Sequence, residues 1–325
     1  NSLRRQGFDD DDFVEVAKQA TEADILYDPA EPFELFSAVK QPVDDASHAI
    51  GLHVSRMVPD AGTLQIGIGT IGDAVAQALL LRERGEIRPI HAASPFPDDG
   101  FREDGPFEAG LYAVTEMLVD GLLQLFKAGI IRREVDGAAI HAGFFVEARD
   151  FYARLRDMAP DRRARIAMSP VSYTNTLLGD ETGKRAARRQ ARFVNSTMKV
   201  TLLGAALSDT KPSGQVVSGV GGQHDFVAQA HALEGGRSII TLPATRQGSG
   251  GTESNIVWAE GNETIPRHLR DIVVTEYGIA DLWGKSDAEA IAALLDIADS
   301  RFQAGLHDKA KASGKIPDGH EIDVS

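Results

Sequence analysis

The sequence of 325 residues contains no cysteine. This absence excludes disulfide bonds, thiolate nucleophiles and cysteine-ligated metal sites. The chain also lacks a run of about 18 consecutive apolar residues, which a membrane-spanning helix needs, so no span is predicted. The first residues, from Asn1 to Arg5, carry no hydrophobic signal core. We therefore expect a cytoplasmic protein, and the absence of an initial Met indicates a processed or truncated N-terminus.

Positive charge is scarce, because 34 Lys and Arg residues face 48 Asp and Glu residues and the net charge is -14. This balance argues against binding to nucleic acid or to an anionic membrane surface. A local basic pocket for an anionic cofactor remains compatible with it, although charge runs usually form solvated faces. The candidate cluster is Lys184, Arg185, Arg188, Arg189 and Arg192. No His-Glu-x-x-His motif occurs, so no metal is predicted.

The chain divides into an arm and a folded domain. Residues 1–45 are acidic and interrupted by prolines, which indicates a solvated arm or linker. Residues 46–325 are expected to form the domain. Within them, β-rich runs alternate with stretches of helical periodicity. This alternation predicts an α/β fold with a largely parallel sheet flanked by helices.

Several segments give specific expectations for single elements. Residues 107–128 and 286–302 are predicted to be helices, since their apolar residues follow helical spacing. Ser286 followed by Glu289 is a capping-box pattern at the start of the second helix. Short β-rich runs are expected to be strands at residues 63–69, 138–142, 200–203, 238–242 and 271–275.

A Gly-x-Gly-x-x-Gly pattern occurs at Gly67, Gly69 and Gly72, between a predicted strand and a predicted helix. In dinucleotide-binding folds such glycines admit a pyrophosphate, and an acidic residue about 20 positions later binds the ribose. The acidic residues at a suitable distance, Asp98 and Asp99, fall in a predicted loop. A tight strand-to-helix turn is the preferred interpretation, and a nicotinamide oxidoreductase stays open as an alternative.

The most informative segment is the run Ser-Gly-Val-Gly-Gly-Gln-His-Asp-Phe at residues 218–226. Its clustered glycines leave the backbone bare, which marks a tight turn or a close approach to a ligand. A second unusual segment, Thr-Glu-Tyr-Gly-Ile-Ala-Asp-Leu, occupies residues 275–282. Glu276 stands there at the carboxyl end of a predicted strand, where α/β sheets bind ligands, and is a candidate acid or base. A structural role as an ion-pair partner or helix-cap neighbour is the alternative.

Together with Ser-Asn-Ile-Val at residues 254–257, these two segments resemble the C-terminal domain of the acetyl-CoA hydrolase/transferase family, relatives of the type I CoA transferases. The resemblance extends over residues 44–317 and implies a CoA-transferase-like domain. It implies coenzyme A as substrate or product, and an acyl-CoA as the small-molecule partner. It further implies a missing N-terminal half or a partner chain that completes the cleft, and we expect a homo-oligomer.

The same resemblance raises a question about the nucleophile. In that family a glutamate attacks the thioester through anhydride and glutamyl-CoA intermediates. The segment that carries it corresponds to Asn-Ser-Thr-Met-Lys at residues 195–199, so the resemblance puts Lys199 in the glutamate's place. A lysine is protonated near neutral pH and forms a stable amide once acylated, so Lys199 is not expected to support transfer.

Two functions follow from the resemblance. One is an acyl-CoA thioester hydrolase or CoA-transferase, with Glu276 as the base if water is the acceptor. The other is a catalytically inactive CoA-binding or regulatory module. In both, bare glycines offer main-chain amides to the ligand. The CoA-binding set comprises Gly221, Gly222, Gln223, Asn255, Gly278 and Lys285.

Overall fold

The computed structural model describes residue 37 and residues 40–96, 100–248 and 250–317. Strands alternate with helices around a mostly parallel sheet, which confirms the predicted fold class. The arm expected at residues 1–45 lies almost entirely outside the described residues, so its boundary stays a prediction. Residues 40–44 belong to no helix or strand.

The helices are numbered here in chain order. They are α1 Asp45–Ser55, α2 Thr70–Glu83, α3 Ile87–Ala92, α4 Asp120–Lys127, α5 Arg149–Arg156, α6 Pro160–Arg163, α7 Val171–Thr174, α8 Glu181–Ala187, α9 Gln223–Ala232, α10 Asp287–Asp296 and α11 Ser300–Ala312. A short 3₁₀ helix covers Arg267–Leu269.

The strands follow the same convention. They are β1 Thr63–Ile66, β2 Tyr112–Met117, β3 Ile140–Phe144, β4 Ile166–Met168, β5 Ala191–Ser196, β6 Lys199–Thr201, β7 Ala206–Leu207, β8 Arg237–Thr241, β9 Thr245–Gly248, β10 Gly251–Ser254, β11 Ile256–Val257, β12 Ile272–Thr275 and β13 Gly278–Asp281.

The main sheet has eight strands in the order β13-β12-β8-β5-β1-β2-β3-β4. Every neighbouring pair is parallel except β12 with β13. β11, β6 and β7 form a separate three-stranded sheet, and β9 pairs with β10. The strand expected at residues 200–203 therefore exists as β6 but lies in the small sheet, directly after β5 of the main sheet.

Helices cover both faces of the main sheet. Along β2, Ala113 packs into the apolar cluster that contains buried residues of α1, α2 and α4. Its neighbours Tyr112 and Val114 point to the other face, since side chains alternate along a strand. There they pack in one cluster with Phe226 and Ala230 of α9.

The prediction of a helix over residues 107–128 is wrong for the first half of that range. Residues 112–117 form β2, and only Asp120–Lys127 are helical. The first four residues of β2 are buried. A strand buried on both faces is apolar throughout, so periodicity does not distinguish it from a buried helix.

The helix predicted over residues 286–302 is divided in two. Its start is confirmed, because Ser286 and Glu289 form the expected capping box. The first helix ends at Asp296, and the Asp299 side chain accepts a hydrogen bond from Arg301 N at 3.1 Å to cap the second. A side-chain cap within the apolar pattern therefore starts a new helix.

Candidate active site

The order of the strands reverses between β1 and β5. From β1 the sheet grows through β2, β3 and β4 on one side, and from β5 through β8 and β12 on the other. In open α/β sheets, ligands bind beyond the carboxyl ends of the strands at such a switch point. We call the carboxyl ends of β2, β1, β5, β8 and β12, with the loops that follow them, the carboxyl edge.

The turn after β1 is a tight strand-to-helix turn, as its preferred interpretation predicted. Gly67 N donates to Val194 O of β5 at 3.2 Å. A Cβ on Gly72 would lie 2.2 Å from Gly67 O. Close backbone packing thus accounts for the glycine at position 72 without a dinucleotide. Asp98 and Asp99 lie outside the described residues.

The glycine-rich run leads into α9 at the carboxyl edge. Gln223 Nε2 donates to Ser196 O, at the end of β5, over 3.0 Å. A Cβ on Gly222 would lie 2.2 Å from Glu116 Oε2, near the end of β2. The bare backbone at Gly222 therefore makes room for a side chain of the protein itself.

Glu116 belongs to a small polar network beside this turn. Asn175 Nδ2 donates to Glu116 Oε2 at 2.7 Å and to Asp225 Oδ2 at 3.3 Å. Asn175 thus bridges two carboxylates close to the first turn of α9, where the helix dipole favours negative charge. The paired residues are 59 and 50 positions apart, so no local motif reveals them.

Glu276 lies directly after β12, at the position that the sequence predicted. Ala244 N, in the loop after β8, donates to Glu276 Oε2 at 2.8 Å. Burial is the main cause that raises the pKa of Glu276 above its ordinary value. A carboxylate with a raised pKa is a stronger base once it is ionised.

His53 of α1 lies next to the backbone of Glu276. Its Nε2 is 3.3 Å from Glu276 O, and this nitrogen carries the proton because a carbonyl only accepts. Burial lowers the pKa of His53 from 6.5 to about 4, so the ring is neutral near pH 7. Its Nδ1 is buried and has no hydrogen-bond partner among the described residues.

Asn255 connects β6 with the loop that holds the Glu276 carboxylate. Asn255 N donates to Ala244 O at 2.8 Å, and Asn255 O accepts from Val200 N at 3.0 Å. The side-chain Nδ2 donates to Pro243 O at 2.8 Å. Within the described part of the chain, Asn255 Oδ1 is buried without a partner. This oxygen is therefore an unsatisfied acceptor beside the loop that holds Glu276.

Lys199 begins β6, next to this group. Its Nζ donates to Glu260 Oε2 at 2.6 Å, and the two side chains are only 11% and 14% exposed. The Lys199 Nζ is thus engaged by a carboxylate and is not free to approach a thioester. The expectation that Lys199 is not a competent nucleophile is consistent with this geometry, and the sequence did not reveal Glu260.

Two members of the predicted CoA-binding set, Gly278 and Lys285, lie near opposite ends of strand β12. Gly278 pairs with Thr275 at the carboxyl end of β12 and so lies on the carboxyl edge. Lys285 follows β13, whose last residue pairs with Ile272 at the other end of β12. Because β13 runs antiparallel to β12, Lys285 lies far from the other members of the set.

The remaining site residues form a row and do not meet at one point. Lys199, Asn255 and Glu276 lie towards β12, whereas Gly222 and Glu116 lie towards β2. The two strands are four steps apart in the sheet, or about 19 Å at roughly 4.8 Å for each step. One reacting centre therefore does not contact both ends of the row.

Two members of the basic cluster are buried instead of being available to a phosphate. Lys184 Nζ donates to the carbonyls of Ser172, Thr176 and Leu178. Arg188 donates to Gln229 Oε1 and to the carbonyls of Tyr173, Thr174 and Thr176. We call Lys184, Arg188 and the carbonyls of residues 172–178 the carbonyl cage. The cage holds the segment that carries Asn175.

Within the described residues, no group of three or more His, Asp or Glu side chains is arranged to hold a metal ion. In the same part of the chain, every helix is too short or too polar to cross a membrane.

Comparison with known proteins gives a consistent set of relatives. Residues 148–310 match the acetyl-CoA hydrolase/transferase C-terminal domain. The chain is 28% identical over 305 residues to the 4-hydroxybutyrate coenzyme A transferase of Clostridium kluyveri, which covers 93% of this chain and 61% of that protein. It is 29% identical over 302 residues to the succinyl-CoA:cyclohexane-1-carboxylate CoA transferase of Geobacter metallireducens, with 91% and 60% covered. The chain thus spans about 60% of the length of these relatives.

Solved structures give the same picture for the fold. RipA from Yersinia pestis superposes with a TM-score of 0.67 at 26% identity, over 88% of this chain and 57% of that chain. The 4-hydroxybutyrate CoA-transferase from Porphyromonas gingivalis superposes with a TM-score of 0.60 at 25% identity, over 87% and 58%. The CoA-transferase-like fold is therefore confirmed.

Proposed function

We propose an acyl-CoA function because the chain belongs to the acetyl-CoA hydrolase/transferase family. The curated relatives described above are CoA-transferases by name. We infer that this chain binds an acyl-CoA at the carboxyl edge, with coenzyme A as substrate or product. It then hydrolyses the thioester or transfers the CoA to a second carboxylate.

The observation that carries this proposal is the grouping of predicted site residues at the carboxyl edge. Asn255 and Glu276 both bind the backbone of Ala244. Gln223 binds the carbonyl of Ser196, at the end of the strand next to the switch point. These contacts join distant segments at the part of an α/β sheet that ordinarily receives a ligand.

Calorimetric titration with acetyl-CoA and with free CoA, followed by a thiol-release assay, tests the proposal. We expect saturable binding and release of CoA thiol from acetyl-CoA. Absence of binding by the chain would leave the fold without this function.

Glu276 is the proposed general base if water is the acceptor. Its raised pKa suits proton abstraction, and its backbone-anchored position keeps the carboxylate in place. Glu276→Gln should lower the rate of thiol release at least about 100-fold with little change in CoA binding. Glu253→Gln, at an exposed surface pair, is the matched control. Unchanged thiol release in Glu276→Gln would remove this assignment.

A non-catalytic CoA-binding or regulatory module is the second candidate. The ion pair of Lys199 with Glu260 favours it, since the position that the resemblance assigns to the nucleophile presents an ammonium. This candidate predicts saturable CoA binding without thiol release. Lys199→Glu, combined with Glu260→Gln to avoid two adjacent carboxylates, should then awaken transfer in a chain that includes the missing half. Intact CoA binding without activity in that variant would count against a simple loss of the nucleophile.

A missing N-terminal half or a partner chain is the proposed cover of the carboxyl edge, and we expect homo-oligomers of the complete assembly. Exposed apolar side chains on or beside this edge support a cover. They are Ile68, Phe144, Val171 and Val220. Light scattering of the chain alone and with a separately made N-terminal half measures both expectations, because a cover should form a stable complex.

The nicotinamide oxidoreductase alternative has no support beyond the turn at Gly67 to Gly72. Titration of reduced nicotinamide cofactor should therefore leave its fluorescence unchanged. A saturable change would revive that alternative.

A further inference from the structure

Glu260 is a carboxylate that neither the sequence motifs nor the proposed base accounts for. It lies in the loop after β11, and its Oε2 accepts from Lys199 Nζ at 2.6 Å. Lys199 follows the end of β5 by three positions, so the pair adjoins the strand beside the switch point. Val200, the next residue of β6, binds the carbonyl of Asn255. Asn255 and Ala244 therefore connect the strand that carries Lys199 to the Glu276 carboxylate.

The two oxygens of the Glu260 carboxylate are in different situations. Lys199 binds Oε2, whereas Oε1 accepts no hydrogen bond from any residue that the structure describes. The side chain is 14% exposed, so a small reacting group has access to it. Lys199 therefore holds one oxygen of the carboxylate in a charge-assisted hydrogen bond and leaves the other oxygen open.

Glu276 and Glu116, two other carboxylates of the carboxyl edge, form no ion pair with a described Lys or Arg side chain. Ala244 N binds Glu276, and burial raises the pKa of Glu276, which reduces the ionised fraction. Glu116 is bound by Asn175 and packs against Gly222. A nucleophilic carboxylate must be ionised and must also leave again as a carboxylate. An adjacent ammonium stabilises both states, and at this edge the structure shows such a pair at Glu260.

We infer that Glu260 is the nucleophile of this chain and that Lys199 is its counter-ion. This inference rests on the proposed acyl-CoA function. Relative to the arrangement that the resemblance implies, the carboxylate has moved from β6 to the facing loop, and the cation has taken its place.

The reaction then needs only the acyl-CoA and either water or a second carboxylate. Glu260 Oε1 attacks the thioester carbonyl, the C–O bond forms, the C–S bond breaks, and CoA leaves as a thiolate that water protonates. The product on the protein is a mixed anhydride of the acyl group with Glu260. In hydrolysis, water attacks the acyl carbonyl of the anhydride, the bond to Glu260 breaks, the acyl group leaves as a carboxylate with both protons of the water passing to solvent, and the Glu260 carboxylate is restored beside Lys199. In transfer, the CoA thiolate attacks the Glu260 carbonyl, releases the acyl carboxylate and forms a glutamyl-CoA thioester. A second carboxylate then reverses these two steps.

Chemical trapping with the unaltered chain tests the location of the intermediate. Hydroxylamine added during turnover of acetyl-CoA converts a glutamyl anhydride or thioester into a glutamyl hydroxamate, which peptide mass spectrometry locates. We expect the hydroxamate on Glu260. Thiol release with a hydroxamate elsewhere, or with none on the protein, would overturn the inference while the proposed function stands. Absence of both thiol release and hydroxamate would overturn the two together.

Three variants provide an independent test. Glu260→Gln should lower thiol release at least about 100-fold, because it removes the nucleophile. Glu263→Gln, in the same loop but exposed, should leave it unchanged. The exchange of charges in Lys199→Glu with Glu260→Lys keeps the ion pair and returns a carboxylate to β6, and it should restore thiol release to within about 10-fold of the parent. Full activity in Glu260→Gln, or a hydroxamate in the exchanged variant that does not move to position 199, contradicts the assignment. Circular dichroism and urea unfolding of each variant separate loss of chemistry from loss of folding.

Discussion

The carbonyl cage and the part of the carboxyl edge around Glu276 use buried polar groups in opposite ways. In the cage, Lys184 and Arg188 give their hydrogen bonds to backbone carbonyls and to Gln229. Around Glu276, polar atoms of His53 and Asn255 stay buried without described partners. Native proteins satisfy nearly all buried polar groups, so the exceptions need an explanation.

This contrast indicates which polar groups can still bind a ligand. A buried cation that donates to several backbone carbonyls stabilises the segment that carries them and has fewer donors to offer a ligand. A carboxylate with one oxygen bound and one open retains capacity for a ligand. Lys184 and Arg188 of the basic cluster therefore have structural roles.

Arg188→Met should produce the largest effect on stability. The variant removes one donor from each of the carbonyls of Tyr173, Thr174 and Thr176 and leaves Gln229 Oε1 without its Arg188 partner. We expect the free energy of unfolding to fall by about 3–5 kcal/mol, as measured by urea unfolding. Arg189→Met, at an exposed neighbour, should change it by less than about 0.5 kcal/mol. Equal effects of the two variants would remove the distinction between the cage and a solvated charge run.

The pH dependence of stability should show a slightly smaller effect for each of two histidines, one in each region. Burial lowers the pKa of His53, next to Glu276, and of His141, beside Tyr173, from 6.5 to about 4. The unfolded chain therefore takes up these protons first as the pH falls. The free energy of unfolding is highest above about pH 6.5 and decreases towards about pH 4, by about 3 kcal/mol for each histidine.

Urea unfolding between pH 7 and pH 4 measures this decrease. His53→Gln should remove the part that belongs to His53 and leave the part that belongs to His141. An unchanged slope in that variant would show that His53 is not held neutral at the carboxyl edge.

Lys199→Met should produce the smallest of these effects. The Lys199 and Glu260 side chains are 11% and 14% exposed, whereas those of the surface pair Arg246 and Glu253 are 40% and 45% exposed. Lys199→Met leaves a mostly buried carboxylate unpaired and should lower the free energy of unfolding by about 1–2 kcal/mol. Arg246→Met should change it by less than about 0.5 kcal/mol. A loss no larger than the control's would mean that the pair is solvated.

The sequence predicts the layers of the fold better than their connections. Alternating β-rich and helical segments were sufficient for the fold class, and a capping box located the start of α10. The prediction for residues 107–128 was wrong because β2 is buried on both faces, so its side chains show no alternation of apolar and polar residues. The strand at residues 200–203 lies in the small sheet, which the sequence did not predict because a single segment does not reveal which neighbour it pairs with.

For the candidate site, the sequence predicts the loops that reach the carboxyl edge but not the contacts made there. Glu276 follows its strand as expected, since the end of a β-rich run is a local signal. Glu260 and Glu116 meet their partners 61 and 59 positions away, and His53 meets Glu276 223 positions away. These contacts exist only after the sheet has formed, so no local pattern predicts them.

The position of β5 between β1 and β8 has a consequence for synthesis on the ribosome. A nascent chain that has released β1 to β4 can assemble that half of the sheet, but one side of β1 then waits for residues 191–196. Until they arrive, a row of unpaired amides and carbonyls is open to other chains, which is a known route to aggregation. A polypeptide shortened to end before β5 would carry that open side permanently.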